Sequence, residues 1–215
     1  MNPSTRLDEV VIDGPWERSV TRRRFVTISD VSEDDALAAL VAQAQAGDQT
    51  AMEDLVAQLR PRVFRYVLAR VLDPHLADDV TQEVTVTMLT ALPRHVDRGV
   101  PFTAWVFGIA VNKISESRRV ASRRHETADS AIPDGRSDAA LEPETAVLRL
   151  ETSEYVAKLL AQLPDVQAEI VRLRVAAGLS ADETAAVLGM SAGAVRVAQH
   201  RALARLRDLV GEAAS

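Results

Sequence analysis

The stretch SADETAAVLGMSAGAVRVAQHRALARLR, Ser180 to Arg207, decides how this chain folds. Ser180 and Glu183 stand three apart in an S-x-x-E pattern, the mark of a capping box, so a helix starts there. It runs to Leu188 and stops at Gly189, and Ser191 caps a second helix that ends near Arg207. Two helices joined this tightly need a small residue where they cross, and Ala185 supplies it. They need a left-handed backbone at the turn, which Gly189 adopts without penalty. They need a branched apolar residue on the second helix, here Val195, with Leu188, Met190 and Ala198 at further buried positions. That is a helix-turn-helix. The outward face of its second helix offers Arg196, Gln199 and His200. Arginine pairs with guanine and glutamine with adenine in the major groove. Ser191 at the helix N-terminus suits a phosphate, and Arg201 and Arg205, four apart, suit the DNA backbone. The bland alternative is a helical hairpin with a solvated arginine face.

The flanking sequence extends the helical pattern. Upstream, Pro164 reads as a first-turn proline, and Ile170, Leu173 and Val175 lead to a stop at Gly178. Before that, ETADSAIPDGRSDAALEP (Glu126–Pro143) mixes acids, Ser, Pro and Gly and reads as a flexible linker. The N-terminal half is helical from Glu33. Leu37, Leu40, Val41 and Ala44 repeat at i, i+3, i+4, i+7, and Met52, Leu55, Val56 and Leu59 resume that spacing after Gly47-Asp48. Pro61 is expected to interrupt or kink the next helix, Asp73-Pro74 to start another, and Pro93 to Pro101 to form a loop. Phe102 to about Arg124 reads as one long helix. Residues 1–32 show no sustained period and are expected to be a flexible extension, with Thr21–Ser29 a short strand or an arm. The fold class is therefore all-α: two small helical domains joined by a linker.

Two further segments carry charge in a pattern. In Asp78-Asp79-Val80-Thr81-Gln82-Glu83, the carboxylates of Asp79 and Glu83 are i, i+4 and share a helix face. No histidine lies at helix spacing on that face, so metal or acid-base chemistry fits poorly. An acidic patch for a basic partner fits better, and a solvated face is the plain alternative. PFTAWVFGIAVNK (Pro101–Lys113) starts apolar, with Trp105 expected in the core among Phe102, Val106 and Ile109. It continues basic. Asn112 suits a base edge, and Lys113, Arg118, Arg119, Arg123 and Arg124 suit phosphates.

Composition narrows the function. The chain has 215 residues, 47% apolar and 26% charged, with a net charge of −6. An autonomous DNA binder draws affinity from excess Lys and Arg. Here the basic residues concentrate locally: five against one acid in Lys113–Arg124, and four arginines with no acid in Ser191–Arg207. Such a chain binds DNA weakly alone and strongly within a larger complex. There is no cysteine, which removes disulfides, thiolate metal sites and Cys nucleophiles together and fits a cytoplasmic setting. The start has no basic region followed by an apolar run, so no signal peptide is expected, and charge breaks every apolar stretch well short of a membrane span. The histidines are scattered and no Gly-rich phosphate loop precedes a helix, so no enzyme, cofactor or metal is expected.

Taken together and in order, AGDQTAMEDLV, ADDVTQEV, PFTAWVFGIAVNK and the segment from Leu163 to Arg207 resemble the extracytoplasmic-function group of the sigma-70 family of bacterial RNA polymerase sigma factors. The resemblance implies a promoter-melting region 2 at 33–125, a linker at 126–150 and a helix-turn-helix region 4 at 151–210. It implies that Asp79, Gln82 and Glu83 dock on the clamp helices of the largest polymerase subunit. Asn112 would then hold a flipped base of the −10 element, with Lys113, Arg118, Arg119, Arg123 and Arg124 beside it and a loop around Arg118 to His125 tuning specificity. Ser191, Arg196, Gln199, His200, Arg201 and Arg205 would read the −35 element. Core polymerase (clamp helices and β flap), promoter DNA and an anti-sigma protein are the implied partners. The Ala, Val and Arg bias suits an actinobacterial genome. A dimeric helix-turn-helix regulator is the competing reading, but it needs neither the acidic Asp79 face nor the basic second half of the Phe102 helix.

Overall fold

The computed structural model describes residues 28–127 and 155–213, and every described segment of regular structure is helical. The extension before Ile28 and most of the expected linker lie outside the described residues. Helix α1 spans Ile28–Gln45, beginning ahead of Glu33. Gly47 turns the chain with φ +92, and Asp48 then caps α2 (Gln49–Val71), accepting from the backbone N–H of Thr50 at 2.9 Å and of Ala51 at 3.2 Å. Pro61 lies inside α2 without interrupting it, so the interruption that the sequence allowed does not occur. It sits on the exposed side, and so does Ala57, whose carbonyl the proline leaves without a partner. Water can satisfy that carbonyl, so the helix continues.

The α2–α3 junction is tight. Leu72 closes α2 in a left-handed conformation (φ 60, ψ 15), Asp73 caps α3 (Pro74–Ala91), and Pro74 occupies the first turn. A 3₁₀ turn at Leu92–Arg94 leads into a loop, and α4 (Phe102–Thr127) follows. The segment from Arg118 to His125 is part of α4, so the specificity loop expected there is helix instead. Helices α1 to α4 pack around Leu55, Leu59, Tyr66, Met88, Leu92, Phe107 and Ile114, all nearly or fully buried. The Tyr66 ring meets Phe107 edge-on at 5.5 Å. Trp105 is only partly buried: it stacks with His95 and Phe102 at 4.5 and 5.2 Å over the loop.

In the C-terminal unit, residues 155–160 are helical and Pro164 sits one position before α5 (Asp165–Val171) rather than inside it. Helix α5 widens into a π turn at Arg172–Ala176. Ile170 and Leu173 are fully buried there, while Val175 is 64% exposed. Helix α6 (Ala181–Leu188) starts at the capping box: Glu183 N–H donates to Ser180 Oγ, and Ser180 N–H donates back to Glu183 Oε2. Gly189 closes it at φ 64, and α7 (Ala192–Ala213) runs past the expected end at Arg207. Ala181, Ala185, Ile170 and Val195 form the core of the hairpin, with Leu188, Met190 and Ala198 against it.

Candidate nucleic-acid interface

Helix α7 is held from below and open above. Val195 and Ala202 are fully buried, while Arg196, His200, Arg201 and Arg205 are exposed. At about 100° per residue, Arg196, Gln199 and His200 fall on one face. Arg201 and Arg205 fall roughly 140° and 180° away from Arg196, so they cannot serve the same groove edge. Gln199 is positioned rather than free: its Oε1 accepts from Arg174 Nε at 3.0 Å, and Arg174 also donates to the Leu179 carbonyl. The sequence reading missed Arg174, because that bond crosses from the π turn to α7. Arg196 lies 3.4 Å from Asp182 with both side chains well exposed, a contact worth little in water. Ser191 Oγ accepts from Ala194 N–H at 3.1 Å, so it already caps α7.

Helix α3 divides cleanly. Ala77, Val80, Thr81, Val84 and Met88 are buried, and Asp79, Gln82 and Glu83 are exposed together on the opposite side. Asp78, beside them, is tied to Arg60 at 2.7 Å. The exposed carboxylates give this face a negative potential.

Helix α4 is more engaged than its sequence suggests. Asn112 and Arg119 are exposed and share a face at i, i+7 with Glu116 between them. Lys113 pairs with Glu116 at 3.2 Å and with Glu83 of α3 at 3.4 Å. Burial works against the Lys113 charge, but Glu116 and Glu83 outweigh it and hold its pKa above the ordinary lysine value. Arg118 is exposed, and its guanidinium donates to the Arg70 carbonyl at 2.8 Å. Burial and the nearby Arg70 and Arg172 lower its pKa. Arg123 and Arg124 lie on the α4 backbone, with side chains outside the described part. Asn112 and Arg119 are thus brought together, while Lys113 and Arg118 point into protein contacts.

Among the described residues no group of three His, Asp or Glu side chains is placed to hold a metal, and no helix is long and apolar enough to cross a membrane. The largest polar feature that sequence reading overlooked is Glu169. Its Oε1 accepts from the Tyr66 hydroxyl at 2.5 Å, and its Oε2 accepts from Arg70 at 2.7 Å and Arg172 at 3.3 Å. Burial first, then the Glu169 charge and hydrogen bond, push the Tyr66 phenol well up. Its position one turn before Leu173 on the apolar side of α5 was the available signal.

Comparison with known proteins bears on the family of the chain. Residues 55–124 match the model of Sigma-70 region 2, and residues 153–206 that of Sigma-70, region 4. The ECF RNA polymerase sigma factor SigD of Mycobacterium tuberculosis is 44% identical over 193 residues, covering 86% of this chain and 91% of that protein. ShbA of Streptomyces griseus, another ECF RNA polymerase sigma factor, is 45% identical over 186 residues, covering 82% and 96%. Among solved structures, CnrH in complex with the cytosolic domain of CnrY has a TM-score of 0.55 and 29% identity, covering 80% of this chain and 96% of that one.

Proposed function

The chain belongs to the sigma-70 family of RNA polymerase sigma factors, in its ECF branch, and from that premise we propose how its surfaces divide the work. The family is one of transcription initiation, and membership favours this reading over the dimeric regulator. The N-terminal unit, 33–125, serves as region 2 and the C-terminal unit, 151–210, as region 4, with 126–150 between them. The exposed Asp79, Gln82 and Glu83 dock on a basic surface of core polymerase, the clamp helices, and region 4 reaches the β flap. Charge complementarity there sets orientation and on-rate.

Docking supplies the affinity that a chain of net charge −6 cannot draw from DNA alone. Arg196, Gln199 and His200 then enter the major groove at the −35 element. Arg174 holds the Gln199 amide so that less freedom is lost when a base is bound. Arg201 and Arg205 take phosphates on the flank. At the −10 element, Asn112 contacts an extruded base and Arg119 the adjoining phosphate. Extrusion costs a few kcal/mol of stacking, which these contacts and those of the polymerase offset. Lys113, Arg118, Arg123 and Arg124 add positive potential along α4. Bond-making chemistry stays with the polymerase, in the cytoplasm. CnrH was solved with a second protein bound, which supports an anti-sigma protein as a further partner here.

The observation that carries this reading is the face on which exposed Arg196 and His200 flank a half-buried Gln199, on a helix locked by Val195. The test is permanganate footprinting of promoter DNA with core polymerase and this chain. Wild type should open the −10 region, and Asn112→Ala should leave those thymines protected while −35 contact persists. Equal opening by both would remove Asn112 from base capture.

A further inference from the structure

Two residues on the outward side of α7 contribute little to the fold. Val197 is 52% exposed, and Gly193, one turn before it, is exposed as well. At about 100° per residue, both point roughly 160° away from Val195, the buried anchor of the helix. Helix propensity does not account for them, because valine and glycine are both poorer helix formers than alanine. Nor does local geometry ask for glycine at 193. Its backbone is helical and outside the left-handed region that Gly189 occupies. A Cβ added there would meet nothing nearer than Ser191 Oγ at 4.0 Å. What a missing side chain on an open helix face does permit is close approach by something outside the helix.

The surroundings say what approaches. Gly193 leaves a notch, and Val197 forms its apolar wall. Arg196 and His200 border it on one side, and Arg201, one turn after Val197, on the other; all three are exposed. A phosphate gains nothing from a valine. A protein partner would seek an apolar patch of several residues, and a single valine ringed by cations is a poor one. The major groove of DNA, by contrast, presents one apolar group on a base edge, the 5-methyl of thymine. A recognition helix sets its first turns against the base edges. Helix α7 starts at Ala192, so positions 193 and 197 fall in its first two turns.

We propose that Gly193 and Val197 form a thymine-reading notch: the bare backbone at Gly193 lets a base pair come close, and Val197 packs on the 5-methyl group of a thymine in the −35 element. The proposal rests on the sigma-factor reading above. It adds a base that the polar side chains do not read, since arginine pairs with guanine and glutamine with adenine. Around the helix the order is Gln199, Arg196, His200, Val197, Arg201. The thymine therefore lies between the base edge met by His200 and the phosphate taken by Arg201.

The test removes the methyl from the DNA and the valine from the protein in turn. A promoter is first recovered by run-off transcription with core polymerase and the full chain. Each thymine of its −35 element, on either strand, is then replaced by deoxyuridine, which lacks only the 5-methyl group. Affinity is read by competition for holoenzyme against a fluorescent copy of the same promoter. One substitution should weaken wild type by about fourfold, the worth of one buried methyl. Val197→Ala should weaken binding to the thymine promoter by a similar factor and lose its response to that deoxyuridine, because both changes remove one contact. Gly193→Ala should weaken binding to both promoters alike by holding the base pair away. Both variants should unfold at or above the wild-type temperature, since alanine is the better helix former. A wild type indifferent to deoxyuridine at every position, a Val197→Ala protein that keeps the full response, or a Gly193→Ala protein that binds as wild type would overturn the notch. Failure to recover any promoter would instead overturn the sigma-factor reading on which the notch rests.

Discussion

Reversing two charges on α3 should separate docking from folding. In Asp79→Arg with Glu83→Arg, both substituted side chains are exposed. Asp79 makes no ion pair among the described residues, and Glu83 makes one, to Lys113 at 3.4 Å with Glu83 59% exposed. An exposed pair is worth at most about 1 kcal/mol, and Lys113 keeps Glu116. The fold should therefore lose no more than about 1 kcal/mol, a fall in Tm of about 2–4 °C. Docking should suffer far more. Removing one close charge from an interface costs about 2–5 kcal/mol, so two reversals should cost about 4 kcal/mol or more. That is roughly a thousandfold in Kd. Each reversal adds two positive charges, so the net charge moves from −6 to −2. Glu53→Arg with Asp54→Arg makes the same change on the exposed side of α2 and serves as the control. The assay is fluorescence anisotropy of labelled chain titrated with core polymerase, beside thermal unfolding by circular dichroism. If the α3 variant binds within threefold of wild type, or the control is equally impaired, the docking face is wrongly placed.

Other consequences are as specific. Arg196→Ala should weaken initiation from promoters with the preferred −35 element by about 1–3 kcal/mol and spare those with a mismatched one, as competitive transcription would show. An equal loss everywhere would make it a phosphate contact. Leu72 is exposed and left-handed, so Leu72→Gly should raise stability by about 0.5–1 kcal/mol in denaturant titration, while Leu72→Val should lower it. Burial against Phe102 and Trp105 lowers the His95 pKa, with Asp97 partly opposing. A histidine whose pKa is lower when folded stabilises above its unfolded value near 6.5, and that contribution fades as pH falls through the folded value. Trp105 emission in a Trp16→Phe background should thus change with a midpoint below 6.5, and His95→Phe should abolish the transition. A midpoint at or above 6.5 would contradict the burial.

What the sequence made legible was local. The capping box at Ser180–Glu183, the left-handed Gly189 and the buried Ala185 and Val195 all follow from spacing and backbone preference within a few residues. The exposed Asp79–Glu83 face follows from helical periodicity. What escaped was set by tertiary environment. Pro61 reads as a breaker, but its exposed position lets water take the orphaned carbonyl. Lys113 and Arg118 look like free cations in a basic run, yet Glu83 and the Arg70 carbonyl occupy them, and both partners are distant in sequence. The Glu169 carboxylate joins residues about a hundred positions apart, which no local pattern encodes.

The most direct measurement is run-off transcription with actinobacterial core polymerase on a genomic promoter library, with and without this protein. Transcripts that appear only with the protein, from starts sharing common −10 and −35 elements, are the expected outcome, with Asp79→Arg/Glu83→Arg silent. No specific transcripts from a competent core, together with a shift of palindromic DNA by the protein alone, would contradict the sigma-factor assignment.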